Sequence, residues 1–469
     1  MPNQLYLPDW TVAEAVIDSE AAYQIAATYD VPPEACLKCG VVGALYKHGT
    51  KLITYVDAPV HGRQTFINVR RGRYRCRDCG GTFMQPLPDM DDDRRMTIRC
   101  RHYIEAQCLL KPNTHVAEDV GVDEKIVRQI GRAQADRLFE RHEAGIRAPR
   151  ILGIDELGLG GTMRAVFVDI ETSWPIELLP TRWEKPVLNF LMNLPGRDET
   201  EIVTMDMWKP YRKAVRYAMP QAVIIVDKWH VQRLANDAME MARRVYQGGL
   251  GISKETRKAL KKGRSIFLKR PYTLSPKQLL DLDGWLKNTP ELAGAYEIRE
   301  AFMEIWKART AEDAKLRLDA WRESVPQHLL RLFKPVFTAT RNWEPEIMNY
   351  FRHGGRRTNA ATEARNRVIK MTNRLGAGYS FDMIRARSLF GKRPGRVRAE
   401  AAARRANMIE CFSCKALFEP ALLNAKHLKP VKDLAVGERV QGVSMCAECH
   451  RFHTDGWFNH GRRSTSKSE

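Results

Sequence analysis

The sequence lacks the features of a membrane-spanning or exported protein. It has no run of about 18 apolar residues, and no basic segment followed by an apolar one stands at its N-terminus. Acidic residues are scarce relative to basic ones: 56 Asp and Glu stand against 76 Lys and Arg, which gives a formal net charge of +20. Such a surplus favours a polyanionic partner, usually nucleic acid, with an anionic membrane as the alternative. We expect a soluble, cytoplasmic protein.

The sequence also lacks internal repeats, apart from two cysteine-rich segments, and its length predicts several domains. Its 469 residues exceed what one compact core usually holds, and its apolar content of 44% is sufficient for folding. Cysteine pairs and strand-like runs occupy residues 1–92, and helical patterns occupy 93–148. Strands and helices alternate in 149–390, with an all-helical insertion at about 232–350. A basic linker and a second cysteine-rich segment fill 391–469. We predict a multidomain α+β protein with these limits.

Eight of the ten cysteines form four Cys-x-x-Cys pairs, which in the absence of an export signal favour metal binding over disulfides. In the first two pairs a glycine follows the second cysteine and permits the left-handed backbone of a tight turn. The 36 residues between these pairs can hold a β-hairpin. We predict an N-terminal zinc ribbon in which four thiolates hold a structural Zn²⁺ ion: Cys36, Cys39, Cys76 and Cys79.

The second set of pairs lies near the C-terminus and lacks those glycines. We predict a second structural Zn²⁺ site there, formed by Cys411, Cys414, Cys446 and Cys449, with His450 and His453 as competing ligands. Four protein ligands leave no open coordination position, so neither site is expected to be catalytic. The two remaining cysteines, Cys100 and Cys108, are interpreted as small buried apolar groups.

Residues 114–130 have the pattern of a helix-turn-helix. Ala117 is a small residue inside the first helix, Gly121 stands at the turn, and Asp123 can cap the second helix. An ordinary helical hairpin has a similar pattern, but the basic chain and the adjoining cysteine pairs favour DNA binding. The side chains that we expect to face DNA are Lys125, Arg128 and Arg132.

Residues 150–227 contain five apolar strand-like runs and two helical segments in the order β-β-β-α-β-α-β. The first three runs are closely spaced, which predicts an α/β sheet with a leading antiparallel meander. Asp155 ends the first predicted strand and Asp206 ends the fourth. These strands can be neighbours in such a sheet, and the two carboxylates could then share a pair of metal ions.

A third acid is expected from a helix packed near these strand ends. Glu363, Asn366 and Lys370 are spaced i, i+3 and i+7, so they share one helical face. That face could offer a carboxylate to a metal ion, and an amide and an ammonium group to DNA phosphates. Two or three carboxylates are the natural minimum for Mg²⁺, which prefers oxygen ligands. One ion would activate an attacking water or 3′-hydroxyl, and the other would stabilise the leaving oxygen.

Several alternatives to this acid set remain open. An aspartate at the end of a strand is more often a turn or cap residue than a catalytic one. Asp227 follows the fifth predicted strand and competes with Asp206 for the role of second acid. His230 could be a core histidine, a metal ligand or a DNA contact, while Asp169 and Glu171 are weaker candidates.

Taken together, these motifs resemble those of the bacterial insertion-sequence transposases of the ISL-three type, which belong to the DDE group with a ribonuclease H-like core. The resemblance spans nearly the whole chain. It rests on the N-terminal cysteine pairs, the helix-turn-helix, and the segments 153–156, 205–211, 226–231, 362–370 and 378–379. It implies that Asp155, Asp206 and Glu363 are the catalytic acids and that Asp227 and His230 support them. The family usually has glycine after the third acid, where this chain has Ala364, and the C-terminal cysteine pairs are an addition to the family pattern.

The resemblance implies a nucleoid-associated DNA transposase. Such an enzyme binds terminal inverted repeats, cuts strands by hydrolysis with two Mg²⁺ or Mn²⁺ ions, and joins a 3′-hydroxyl to target DNA. We expect a homodimer or higher oligomer on double-stranded DNA. The alternatives are a non-catalytic DNA-binding regulator derived from a transposase and a zinc-dependent RNA-binding protein.

Overall fold

The computed structural model describes residues 7, 9–13, 16–18, 22–354, 360–376 and 378–391, together with four short strands between 409 and 446. The chain divides into two compact units, residues 1–391 and 392–469. Among the described residues, no helix combines the length and the apolar character needed to cross a bilayer.

The first part of the larger unit is a β-sheet built around one long hairpin. Its strands are β1 (Trp10–Val12), β2 (Val16–Ile17), β3 (Tyr23–Tyr29), β4 (Leu45–Val60), β5 (Arg63–Cys76), β6 (Thr82–Met84), β7 (Met90–Asp91) and β8 (Met96–Thr97). They pair in the order β1-β3-β5-β4-β8-β7, while β2 pairs with β3 and β6 with β5. Alternating side chains of the β4–β5 hairpin, including Tyr55, Ile67 and Val69, are buried against Trp10 and Ile25.

Three helices follow this sheet: α1 (Ile98–Gln107), α2 (Asn113–Val120) and α3 (Glu124–Gly145). Gly121 ends α2 in the left-handed conformation, at φ 81°, and the Asp123 side chain caps α3 by accepting from the backbone N–H of Lys125 at 2.7 Å. Val116, Val120, Val127 and Ile130 form the small core between the helices. The predicted helices and turn are therefore present.

A five-stranded sheet forms the centre of the larger unit. Its elements are β9 (Ile151–Leu159), β10 (Thr162–Asp169), β11 (Trp174–Leu179), α4 (Glu184–Asn193), β12 (Ile202–Met205), α5 (Lys209–Ala218) and β13 (Val223–Val226). The strands pair in the order β11-β10-β9-β12-β13; the first three are antiparallel, and β12 is parallel to both β9 and β13. The predicted order β-β-β-α-β-α-β is confirmed.

The described residues between β13 and residue 354 form helices and short 3-10 turns, without a strand, as predicted for the insertion. Their packing depends on buried aromatic rings, such as Phe302 and Phe333, which both contact Trp321. The helices are α6 (Lys228–Gly248), α7 (Lys254–Lys262), α8 (Pro276–Asn288), α9 (Pro290–Glu304), α10 (Ala311–Ser324), α11 (Leu330–Asn342) and α12 (Glu344–Arg352).

Two further helices, α13 (Ala360–Leu375) and α14 (Phe381–Phe390), return the chain to the central sheet. Ile369 of α13 and Ile384 of α14 pack on one face of it, beside Val166 and Leu178. Arg385 donates two hydrogen bonds of 2.7 Å to the carboxylate of Glu177 on β11. This pair fixes α14 to the sheet, because Glu177 is buried and has its charge balanced there.

The Glu177–Arg385 pair gives a stability prediction. We expect Arg385→Ala to lower the free energy of unfolding by about 3 kcal/mol, because it leaves a buried carboxylate without its counter-charge. Chemical denaturation measures this change. The matched control is Arg147→Ala, which breaks an exposed ion pair with Glu199 and should cost less than about 1 kcal/mol. Equal losses in the two variants would contradict the role given to the buried pair.

The smaller unit contributes two pairs of short antiparallel strands to the described structure. Strands β14 (Ile409–Glu410) and β15 (Leu417–Phe418) are antiparallel, as are β16 (Leu423–His427) and β17 (Gly442–Cys446). Of the predicted second zinc site, Cys411, Cys414 and Cys449 lie outside the described residues, as do His450 and His453. Cys446 is described only as the last residue of β17.

Candidate active site

Asp155 and Asp206 occupy equivalent places on neighbouring strands. The parallel ladder between β9 and β12 ends with Ile154 opposite Met205, and each aspartate is the next residue. Both are buried, with 5% and 8% of their surfaces exposed. The expectation that Asp155 ends its strand was wrong, because β9 continues to Leu159 as one arm of a hairpin with β10.

His230 joins the two aspartates from the first turn of α6. Its Nε2 lies 2.8 Å from Oδ1 of Asp206. Asp155, Asp206 and His230 each offer one ligand atom, and these atoms all lie within 4.8 Å of one another. We call these three residues the acid cluster. Asp227 follows β13, and its side chain caps α6 by accepting from the backbone N–H of Trp229 at 3.0 Å.

The charges of the acid cluster perturb one another. Burial, and then the neighbouring charge of Asp206, raise the pKa of Asp155 to about 8. Burial alone would lower the pKa of His230, but the hydrogen bond and charge of Asp206 outweigh it, and the pKa rises. Ionisation of Asp155 beside Asp206 is therefore disfavoured at neutral pH, and a cation placed between the two side chains would favour it.

Helix α13 brings Glu363 and Asn366 towards the acid cluster. Asn366 is buried, and its Nδ2 donates to Oδ2 of Asp155 at 2.6 Å. Glu363 is half-buried in the first turn, and its pKa is raised by burial and then by the charge of Asp227. The Glu363 carboxylate is not among the ligand atoms of the acid cluster that lie within 4.8 Å of one another. The Asn366 amide thus bonds to Asp155 inside the protein, whereas Lys370, which was expected to share its helical face, is exposed.

Residues without a predicted role border the acid cluster. Glu156 forms an ion pair with Arg182, whose guanidinium lies 4.3 Å from the centre of the Trp208 ring. Tyr211 is fully buried, and its hydroxyl has no hydrogen-bond partner among the described residues. Burial, and then the charge of Glu156, raise the pKa of Tyr211. Nothing in the sequence spacing indicates the Glu156–Arg182 contact, since Arg182 lies in the segment between β11 and α4.

The four N-terminal cysteines converge at the open end of the β4–β5 hairpin, where β4 begins and β5 ends. The Sγ atoms of Cys36 and Cys79 lie 3.8 Å apart, as do those of Cys39 and Cys76. Sulfurs in a tetrahedron around a zinc ion, each about 2.3 Å from it, lie this far apart. The sulfurs of a disulfide would lie only about 2 Å apart. Gly40 and Gly80 have φ of 74° and 68°, as the predicted turns require. These cysteines form a structural zinc site.

The helix-turn-helix presents the expected basic face. Lys125, Arg128 and Arg132 are exposed on α3. Cys100 and Cys108 are fully buried beneath these helices, as predicted, and burial raises their pKa values to about 12 and about 11. They are therefore unreactive packing groups.

The comparisons with known proteins agree with this arrangement. Residues 152–388 match the family of ISL3-type DDE transposases, and residues 32–79 match the zinc-finger of transposase IS204/IS1001/IS1096/IS1165. No curated protein matches the chain significantly. The first match defines a transposase and covers half of the chain. The protein belongs to the ISL3 family of insertion-sequence transposases, and its N-terminal cysteine site is the zinc ribbon of that family.

Proposed function

We propose that this transposase cuts and joins DNA with divalent metal ions held by Asp155, Asp206 and Glu363. The observation that carries the proposal is the meeting of two buried aspartates from adjacent parallel strands with His230 at one edge of the sheet. Glu363 approaches the same edge from α13, where the charges of Asp227 and His230 affect its pKa. Acids that are distant in sequence and close in space are expected of a metal-dependent nuclease.

The sheet supports a ribonuclease H-like interpretation of the core. Numbered along the chain, its strands have the spatial order 3-2-1-4-5, with the first three antiparallel and the last two parallel to the first. The first and fourth strands are thus neighbours, as the proposed catalytic arrangement requires. The helical insertion lies between the fifth strand and the helix that carries the third acid.

The residues around the acid cluster fit Mg²⁺ or Mn²⁺. Carboxylate oxygens are the preferred ligands of these ions, and a cation would offset the burial and the neighbouring Asp206 charge that raise the Asp155 pKa. Asn366 Oδ1 is buried without a hydrogen-bond partner among the described residues, so one oxygen acceptor remains available there. Two bound ions would supply an activated water or 3′-hydroxyl and a stabilised leaving oxygen.

The protein side chains would hold this site in place. Asn366 fixes one oxygen of Asp155, while the backbone N–H of Glu156 donates to the other at 2.6 Å. His230 restrains Asp206 by their 2.8 Å contact. Asp227 restrains the first turn of α6, and with it His230, through its cap. Orientation of this kind reduces the reorganisation needed during reaction.

DNA binding is assigned to the basic surfaces of the larger unit. Lys125, Arg128 and Arg132 on α3 and Lys370 on α13 are exposed. Terminal inverted repeats of the element are the proposed specific target, and binding should weaken steeply with salt as counterions are released.

The proposed function is tested with a duplex that carries the inverted repeats flanking the coding region. We expect the purified full chain to cut this duplex at the repeat ends when Mg²⁺ or Mn²⁺ is present, and to be inactive with a chelator. Cutting that persists in the chelator at full rate would contradict the proposal.

Metal binding is expected to depend on pH. Because the pKa of Asp155 in the metal-free protein is raised to about 8, a cation entering below that pH must displace a proton. Apparent Mn²⁺ affinity, measured by calorimetry, should therefore fall up to about tenfold per unit as the pH decreases from 8 to 6. An affinity that stays constant over this interval would contradict the raised pKa.

A further inference from the structure

Trp229 is an exposed aromatic side chain at the edge of the acid cluster. The described part of the chain contains nine tryptophans, and seven of them are buried or half-buried. The other two, Trp183 and Trp229, are exposed over 63% and 48% of their surfaces. Tryptophan is highly buried on average, so its exposure next to His230 makes Trp229 a candidate for contact with the substrate.

The neighbours of the Trp229 ring are a residue of the acid cluster and an arginine. The centres of the Trp229 and His230 rings lie 4.8 Å apart at an interplanar angle of 83°, which is an edge-to-face contact. The Arg233 guanidinium, one turn further along α6, lies 5.5 Å from the centre of the Trp229 ring. Its ion pair with Asp237, at 3.7 Å, is exposed and therefore weak. Trp229 and Arg233 thus offer an aromatic face and a positive charge side by side, and these groups bind a base and a phosphate.

The carboxylates of the acid cluster are recessed, whereas Trp229 is exposed beside them. Asp155 and Asp206 are both buried, so a phosphate that reaches metal ions held between them must enter the protein surface. The bases next to that phosphate are then drawn away from their regular stack. Inside an intact duplex both faces of each base are covered by its neighbours. An exposed tryptophan can therefore stack only on a base that has left the duplex stack.

We propose that Trp229 stacks on a DNA base that has left the double helix beside the phosphate to be cut. The inference rests on the proposed function, because it takes the acid cluster as the site of cleavage. Stacking on the ring offsets part of the cost of unpairing the base, and Arg233 binds the phosphate of the same nucleotide. The protein therefore acts on locally opened DNA, and Trp229 stabilises the opened form.

Equilibrium binding to opened DNA tests the inference without cleavage. A fluorescein-labelled mixed-sequence duplex of about 30 base pairs is compared, by anisotropy in Ca²⁺, with the same duplex carrying about three mismatched pairs at its centre. The wild-type full chain should bind the mismatched duplex about tenfold more tightly than the paired one. Trp229→Ala should reduce this preference to less than about twofold. Its affinity for the paired duplex and the slope of log Kd against log salt should not change, because no charge is removed.

Two further variants show whether the aromatic ring of Trp229 is responsible. Trp229→Phe keeps an aromatic face and should retain a preference of about fivefold for the mismatched duplex. Tyr217→Ala is the matched control, because it removes an exposed aromatic side chain near the C-terminal end of α5, whose other end follows Asp206. It should keep the full preference. Equal affinity of the wild type for the two duplexes, or an unchanged preference in Trp229→Ala, would overturn the inference.

Cleavage rates separate stacking from an indirect effect through His230. With Mg²⁺ and a duplex that carries the terminal repeats, Trp229→Ala should slow cutting about thirtyfold, and mismatches at the cut should restore the rate to within about threefold of wild type. An equal loss on both duplexes would mean that Trp229 only supports His230, and the inference fails. If the wild type cuts neither duplex, the proposed function fails, while the binding comparison still decides the role of Trp229.

Discussion

Replacing Asp155 by asparagine is expected to lower the rate of DNA cleavage by at least about a thousandfold, with DNA affinity changed less than about twofold. The change keeps the size of the side chain and an oxygen that can accept from the Glu156 N–H. It removes the negative charge that faces Asp206 and His230. Single-turnover cleavage of an end-bearing duplex and a parallel binding titration measure the two effects.

The control for this variant is Asp169→Asn, the same chemical change in the same sheet. Asp169 ends β10, where its side chain accepts from the backbone N–H groups of Glu171 and Thr172. It belongs to a turn, so cleavage should remain within about twofold of wild type. Comparable cleavage by the Asp155 variant and wild type would remove Asp155 from the mechanism.

The same assay separates Glu363 from Asp227. If Glu363 is the third acid, Glu363→Gln should match the loss seen with Asp155→Asn. Asp227→Asn should retain a larger share of activity, because an asparagine can still cap α6. The reverse order of effects would make Asp227 the acid and Glu363 a surface residue.

The second large effect is expected at the zinc site. Cys76→Ser should remove one equivalent of zinc from the protein and unfold the end of the β4–β5 hairpin. Structural zinc binding contributes about 10–16 kcal/mol in small zinc-binding peptides, which is as large as the whole stability of a typical domain. Without the ion, little apolar burial holds this end, since the core of the sheet lies around Tyr55, Ile67 and Trp10.

Zinc content and limited trypsin digestion test this prediction. Cleavage after Lys38, Lys47 and Arg77 should accelerate more than about a hundredfold in Cys76→Ser. Cys108→Ser is the control, since its thiol is buried outside the site and donates to the Glu105 carbonyl, a bond that a serine can also make. Retention of full zinc by Cys76→Ser, or equal digestion of the two variants, would contradict the assignment.

The sequence was sufficient for those parts of the fold that depend on local patterns. Short apolar runs predicted the five central strands, and glycines after the first two cysteine pairs predicted the turns at Gly40 and Gly80. Gly121 and Asp123 likewise predicted the helix-turn-helix. In each case the responsible residues are neighbours along the chain.

Features that depend on pairing between distant segments were not predictable from the spacing of residues. The length of β9 is set by its hairpin partner β10, so the apolar run alone placed the strand end too early, at Asp155. The Asn366 amide was expected to contact DNA phosphates because it shares a helical face with Lys370, whereas the packing of α13 on the sheet brings it to Asp155. Arg182 gains its surroundings only from the tertiary structure.

The central claim is that three acids, separated by up to 208 residues of sequence, share one metal site. Diffraction from crystals of the full chain soaked in Mn²⁺, recorded near the manganese absorption edge, tests it most directly. We expect anomalous density between Asp155 and Asp206, with a carboxylate oxygen of Glu363 at about 2.2 Å from a metal ion. Manganese bound elsewhere, or bound at the two aspartates with Glu363 turned away and no other acid in its place, would contradict the claim.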